Sequence, residues 1–233
     1  MNTKGQYTYE YPRPAITVDC IIFGFDKEQI KVLLTKRAIE PFLGKWAFPG
    51  GFIDEGETAD DCARRKLYQE AGLKDIFMEQ LYTFSDLDRD PRYHVISIAY
   101  FALVRSTDHI LEAGIDTEDV QWFSLNELPE LAFDHARILD VAVERLKGKI
   151  SYQPIGFELL PEKFTLPELH KLYEAVLQKK IDRANFNKKI LGMKLLIDHS
   201  DKQKDRPSRG AKLYSFDKIK YESLTRSGFY FEI

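Results

Sequence analysis

Apolar positions fall into blocks whose period changes along the chain. Ala15 to Phe25, AITVDCIIFGF, is an unbroken β-branched and apolar run, which predicts a buried strand. Ile30 to Leu34 reads as its hairpin partner across Asp26-Lys27-Glu28-Gln29. Further strands are predicted at Ile76 to Phe84, Val95 to Val104 and Val120 to Phe123. Asp19 is the odd residue in the first strand, and its charge reads as an edge or end position. Thr58 to Gly72 carries helix start and stop signals. Asp134 to Lys147 reads as a second helix, with Ile138, Val141, Ala142 and Leu146 on one face.

The pattern changes after residue 147. Gly148 to Pro154 reads as a linker. Behind it, Thr165-Leu166-Pro167-Glu168 is a capping box, followed at helical spacing by Leu169, Leu172, Tyr173, Val176 and Leu177. After a short connection, Gln178 to Ile181, Asp182 caps a helix in which Phe186, Ile190 and Met193 share a face. A strand at Leu195 to Ile197, a basic loop from His199 to Gly210 and a strand at Ala211 to Phe216 complete a helix, turn, helix, hairpin order. That order is the layout of a winged helix-turn-helix. The expected class is therefore α+β, with one domain over residues 1–150 and another over residues 151–233. The tail Tyr230-Phe231-Glu232-Ile233 is apolar, and the pattern leaves open whether it closes the wing's sheet or joins a dimer interface.

Composition narrows the classes. The 233 residues are 44% hydrophobic and 30% charged, an ordinary globular balance, and no apolar run reaches the length of a membrane span. The opening segment, Met1 to Pro14, is too polar for a signal peptide. Cys20 and Cys62 both sit in apolar periodic segments, and two cysteines make no disulfide framework, so they read as buried free thiols of a cytoplasmic protein. The net charge of −3 hides an asymmetry: residues 1–150 carry 18 basic against 26 acidic side chains, residues 151–233 carry 16 against 11. The two parts face different partners.

Gly51 to Leu73, GFIDEGETADDCARRKLYQEAGL, gathers the candidate chemistry. Thr58-Ala59-Asp60-Asp61 reads as a capping box and Gly72 as a C-terminal stop. The spacing of Gly51, Glu57, Arg65, Leu67, Glu70, Gly72 and Leu73 resembles the Nudix box, and Phe48-Pro49-Gly50 resembles the turn that precedes it. The resemblance covers roughly residues 12 to 148 and implies the Nudix α/β/α sandwich. Lys66 and Gln69 stand where the family's hydrolases carry glutamates. Those enzymes load divalent cations on several carboxylates of one helix face, because the cations neutralise phosphate and activate water. Positions 66, 69 and 70 form such a set, and here it reads Lys66, Gln69, Glu70. No metal is expected at this helix, Glu70 being the one residual ligand. An ammonium now repels any dication, so no catalytic residues are expected in the degenerate box of Glu57, Arg65, Lys66, Gln69 and Glu70.

A degenerate pocket can still bind. Lys66 either stands in for the missing cation and holds an anion, or pairs with Glu70 one turn on. The loop Asp86 to His94, DLDRDPRYH, resembles the ligand-side loop of Nudix proteins acting on ADP-ribose and of their regulatory relatives. Arg89 and Arg92 could clamp an anion there, or the loop could be a solvated turn on Asp90-Pro91. The candidate ligand set is Gly50, Gly51, Lys66, Glu70, Arg89 and Arg92. Trp46 reads as core and His94 as structural.

The candidate DNA-binding set is Arg183, Asn185, Asn187, Lys188, Lys189, Lys202, Lys204, Arg206 and Arg209. A recognition helix needs polar groups for base edges and basic ones for phosphates, and this segment of the chain supplies both. Box and basic half together resemble the NrtR-type Nudix-related transcriptional regulators. The resemblance implies a homodimer on a palindromic double-stranded operator. It also implies a small-molecule effector, ADP-ribose in regulators of NAD metabolism or a pentose sugar in some relatives. The alternative is a Nudix hydrolase of ADP-ribose or a related nucleotide, with magnesium as its cofactor. On the regulator reading no cofactor is expected.

Overall fold

A computed structural model describes residues 10–26, 28–114, 116–202 and 212–233. The first apolar run forms β1 (Ala15–Phe25), which lies inside a seven-stranded mixed sheet. β2 (Ile30–Arg37) turns back against it, with Phe23 opposite Val32 and Phe25 opposite Ile30. The intervening turn is closed by the Asp26 carboxylate, which accepts the amides of Glu28 and Gln29. Two short strands follow, β3 (Trp46–Ala47) on β2 and β4 (Gly50–Phe52) on the first half of β1. One edge of β1 is thus shared by β4 and β2. On its other edge runs β6 (Val95–Val104), parallel and in register from Ala15 opposite Val95 to Gly24 opposite Val104. β5 (Glu79–Phe84) and β7 (Thr117–Ser124) complete the sheet on β6 and β2. β5 begins three residues later than the pattern predicted; Ile76 and Met78 pack as loop side chains against one core.

Strand alternation sends β1 side chains to two different cores. Val18, Cys20 and Ile22 face α1 (Ala59–Ala71) through Cys62, Ala63, Leu67 and Ala71. Ile21, Phe23 and Phe25 face α2 (His135–Tyr152) through Ile138, Leu139, Ala142 and Leu146. Helix, sheet and helix make the expected sandwich. Both cysteines are buried and free. Trp46 packs edge-on against Phe123 at the margin of the core, as expected. Thr58 caps α1 by accepting the Asp61 amide, and Gly72 ends it at φ 74°. The capping box is incomplete: the Asp61 carboxylate takes the Thr58 hydroxyl at 2.7 Å instead of the amide, because aspartate is one methylene too short to reach back.

The predicted linker is helix. α2 continues through Gly148 to Tyr152, and a 3-10 turn (Pro154–Leu159) follows at once. A glycine inside a helix costs about 1 kcal/mol relative to alanine. Here burial of Leu146 before the exposed Gly148, and of Lys149 and Ile150 after it, outweighs that cost. β8 (Phe164–Thr165) then leads into α3 (Leu166–Leu177), whose complete capping box matches expectation. α4 (Arg183–Gly192) is capped by Asp182. β9 (Leu196–Lys202) and β10 (Lys212–Phe216) pair antiparallel, with β8 on the far edge of β10, and form the three-stranded sheet of a winged helix. α5 (Lys218–Arg226), capped by Asp217, was not anticipated because it buries no whole residue. The tail joins no strand of the wing: Phe231 enters the core, and the Ile233 amide donates to the Ser151 carbonyl at 2.9 Å. One apolar cluster runs from Ile21 and Ile138 through Leu159 and Phe164 to Tyr173 and Phe186, so the sandwich and the winged helix share a core. No helix among the described residues is long and apolar enough to cross a membrane.

Candidate functional site

A cavity of about 240 Å3 opens where β4 and β2 share the edge of β1. Gly50, Gly51, Lys66, Glu70, Arg89 and Arg92 all line it, from β4, α1 and the loop before β6. Asp19, Arg37, Phe48, Phe52, Phe133 and His135 complete much of its wall.

Arg65 organises the approach. Its guanidinium donates to both oxygens of Glu57 at 2.6 Å and to the Phe52 carbonyl at 3.3 Å, which pins the loop before α1 onto the helix. Hydrogen bonds from Arg65 hold the Glu57 carboxyl down at about 2. Gln69 accepts from Arg65 at 3.3 Å and is exposed, so of the trio on α1 only Lys66 and Glu70 reach the cavity. Glu70 accepts the Gly50 amide at 3.2 Å and lies 3.6 Å from the Lys66 ammonium. Burial pushes the Glu70 carboxyl up to about 7, against the pull of Lys66 and the Gly50 amide.

Asp19 is neither at an edge nor at a strand end. It sits inside β1 opposite Gly50 and Ala99, on the face toward α2, and is buried. Isolated, such a charge would be prohibitively costly. Its partners remove the cost: the Ser97 hydroxyl donates to it, Arg89 approaches at 3.5 Å and His135 Nε2 at 3.4 Å. The Phe48 amide donates to His135 Nδ1 at 3.0 Å, which leaves the ring proton on Nε2, facing Asp19. Although burial pushes the Asp19 carboxyl up, these contacts hold it below its ordinary value.

Arg89 and Asp90 are buried in the cavity wall, while the rest of the loop from Asp86 to His94 is exposed. Asp134, just ahead of α2, takes Arg89 with both oxygens at 2.8 and 3.1 Å. Arg92 is chelated by Asp90 at 2.7 and 2.9 Å and stands 5.0 Å over the Phe52 ring. Arg37 lies 4.9 Å over Phe133, with its other donors on the Pro41 and Ile39 carbonyls. His94 is exposed, does not line the cavity, and contributes its carbonyl to the Ala15 amide.

The cavity does not suit a divalent cation. Glu70 is the one carboxylate that α1 sends into it, an ammonium stands beside that carboxylate, and among the described residues no group of three or more acidic, histidine or cysteine ligands is placed to hold a metal.

The second candidate surface is α4. Arg183, Asn185, Lys188 and Lys189 are exposed, while Phe186 and Ile190 hold the helix to the core. Lys189 lies 3.7 Å from Glu232 in the tail. Asn187 differs from its neighbours: its side-chain oxygen is buried and has no partner among the described residues. Only the backbone of Lys202 is described, and Lys204, Arg206 and Arg209 lie outside the described residues.

Of the cavity wall, Asp19 was singled out but read as peripheral, and Arg37, Phe52, Phe133 and His135 were not singled out. A carboxylate inside an unbroken apolar run was a signal for the first. Arg37 and His135 carry none, because only the fold brings them to the box.

Two family models match the chain, the NUDIX domain over residues 13–142 and the NrtR DNA-binding winged helix domain over residues 156–216. The ADPR responsive transcriptional repressor NtrR of Acinetobacter baylyi is 33% identical over 89% of this chain and 84% of its own length. Shewanella oneidensis NrtR complexed with a 27mer DNA is 34% identical, with a TM-score of 0.72 over 86% of this chain and 93% of that one. The NUDIX domain of the same protein complexed with ADP ribose is 35% identical, with a TM-score of 0.55 over 58% of this chain and 90% of that domain. A Nudix sandwich with a broken metal set, sharing its core with a winged helix, matches these relatives along nearly the whole chain, which belongs to the NrtR family of Nudix-related transcriptional regulators.

Proposed function

We propose that this chain is an ADP-ribose-responsive, DNA-binding transcriptional regulator. Residues 1–150 sense the effector, residues 151–233 bind double-stranded operator DNA, and two copies act as a homodimer in the cytoplasm. The observation that carries the reading is the cavity, where Arg37, Lys66, Arg89 and Arg92 converge beside Phe52 and Phe133. Such a lining suits an anionic ligand with a planar base, and ADP-ribose supplies both features; a pentose sugar would use the hydrogen-bonding groups and leave the cations idle. Arg183, Asn185, Lys188 and Lys189 supply the basic and amide side chains that phosphates and base edges call for. Asn187, Lys202, Lys204, Arg206 and Arg209 belong to the same proposed interface. The effector acts only through unequal affinity for the DNA-competent and DNA-incompetent arrangements.

A gel shift against the promoter beside its own gene tests the reading. A retarded band that weakens steeply with salt and is released or strengthened by ADP-ribose is the expected result. No shift on any neighbouring promoter at low salt would count decisively against it. The hydrolase alternative requires metal-binding carboxylates on α1, where Lys66 and Gln69 stand beside Glu70. Robust ADP-ribose cleavage with magnesium would reverse the order of the two readings.

A further inference from the structure

Lys66 occupies its place by construction. A Cβ on Gly51 would stand 2.5 Å from Lys66 Cε and 2.8 Å from its ammonium, so the glycine of the box clears the path along which the lysine stem runs into the cavity. The ammonium lies 3.6 Å from Glu70, beyond direct hydrogen-bonding distance. The other cations differ in how firmly they are held. Arg89 is taken by Asp134 and Arg92 by Asp90, each through two short bonds. Arg37 donates to backbone carbonyls and has no carboxylate within ion-pair distance among the described residues. Lys66 and Arg37 are therefore the positive charges an incoming anion meets least neutralised.

We propose that Lys66, with Arg37, replaces the divalent cation of the fold's hydrolases as the phosphate-binding charge, so that the cavity takes a diphosphate-bearing nucleotide without metal. Glu70 then serves as the anchor that holds the ammonium in the cavity when the ligand is absent. This rests on the effector reading above and specifies the chemistry of that same site.

Calorimetric titration of the full chain with ADP-ribose, in EDTA and in magnesium, tests the proposal. Equal affinity in the two buffers is expected. Lys66→Met keeps the apolar stem and loses the charge; it should weaken binding by about tenfold or more, the equivalent of one charge-assisted hydrogen bond. Lys66→Arg restores the charge and should recover most of the loss. Melting curves of both variants confirm that folded protein is being titrated. A wild-type affinity that drops about tenfold in EDTA overturns the proposal and leaves the effector reading intact. Unchanged affinity in Lys66→Met overturns it as well. If the wild-type chain binds ADP-ribose in neither buffer, the effector reading falls and the proposal with it.

Discussion

A carboxylate enclosed beside an ammonium makes Glu70 a reporter of the cavity's electrostatics. Its carboxyl is raised from 4.5 to about 7, chiefly by burial. Between those values the folded protein keeps a proton that the unfolded chain has released, so stability should fall as pH rises through that window. The full effect is about 3 kcal/mol for a shift of this size. Urea unfolding at pH 5 and pH 8 should show this decline in the wild type, and Glu70→Gln should flatten it. At this scale the sequence was informative wherever a motif fixed neighbours along one helix or loop. Gly50, Gly51, Lys66 and Glu70 were named from spacing, and they share a cavity. Gln69, grouped with Lys66 and Glu70 in the box trio but left out of the candidate ligand set, is indeed outside the cavity and accepts from Arg65. Asp19 was misplaced by treating a charge in an apolar strand as peripheral. In this sheet the charge is central and is matched by residues 70 to 116 positions further along the chain.

Among the elements, α4 depends most on local chemistry. It has ten residues, and Asp182 accepts the Asn185 amide at 2.8 Å to close its first turn. A helix this short is marginal without its cap. Asp182→Ala should cost about 1 kcal/mol of stability and weaken DNA binding, with ADP-ribose affinity unchanged. A gel shift and a calorimetric titration of the same preparation would show the two effects separately. The longer strands and the capped helices were legible from period and cap residues, whereas β3, β4 and β8, at two or three residues, are too short to show a period. The end of α2 and all of α5 were also missed. Gly148 carries the signature of a break, yet the flanking Ile150 is fully buried, and tertiary packing decides the matter. α5 lies on the surface with Tyr221 and Leu224 touching the core, too narrow an apolar stripe to read as a helix.

Across the whole molecule, the two predicted domains share one apolar cluster. Thermal unfolding followed by near-ultraviolet circular dichroism should therefore show a single transition, not one for each half. Phe231→Ala should lower the stability of the whole by about 3 to 5 kcal/mol, because the tail fills the common core. Two well-separated transitions would contradict this. The charge asymmetry was visible in the sequence; the shared core was not, since it arises from contacts between residues on opposite sides of residue 150. α2 begins beside the cavity at His135 and ends at Tyr152, where Ser151 holds the Ile233 amide and the adjoining Glu232 faces Lys189 of the DNA-binding candidate helix. For anyone building chimaeras from this family, that helix is the unit of exchange. A graft joined at Gly148 would sever it mid-turn, whereas a winged helix transplanted together with all of α2 keeps both its footing and its line to the sensor.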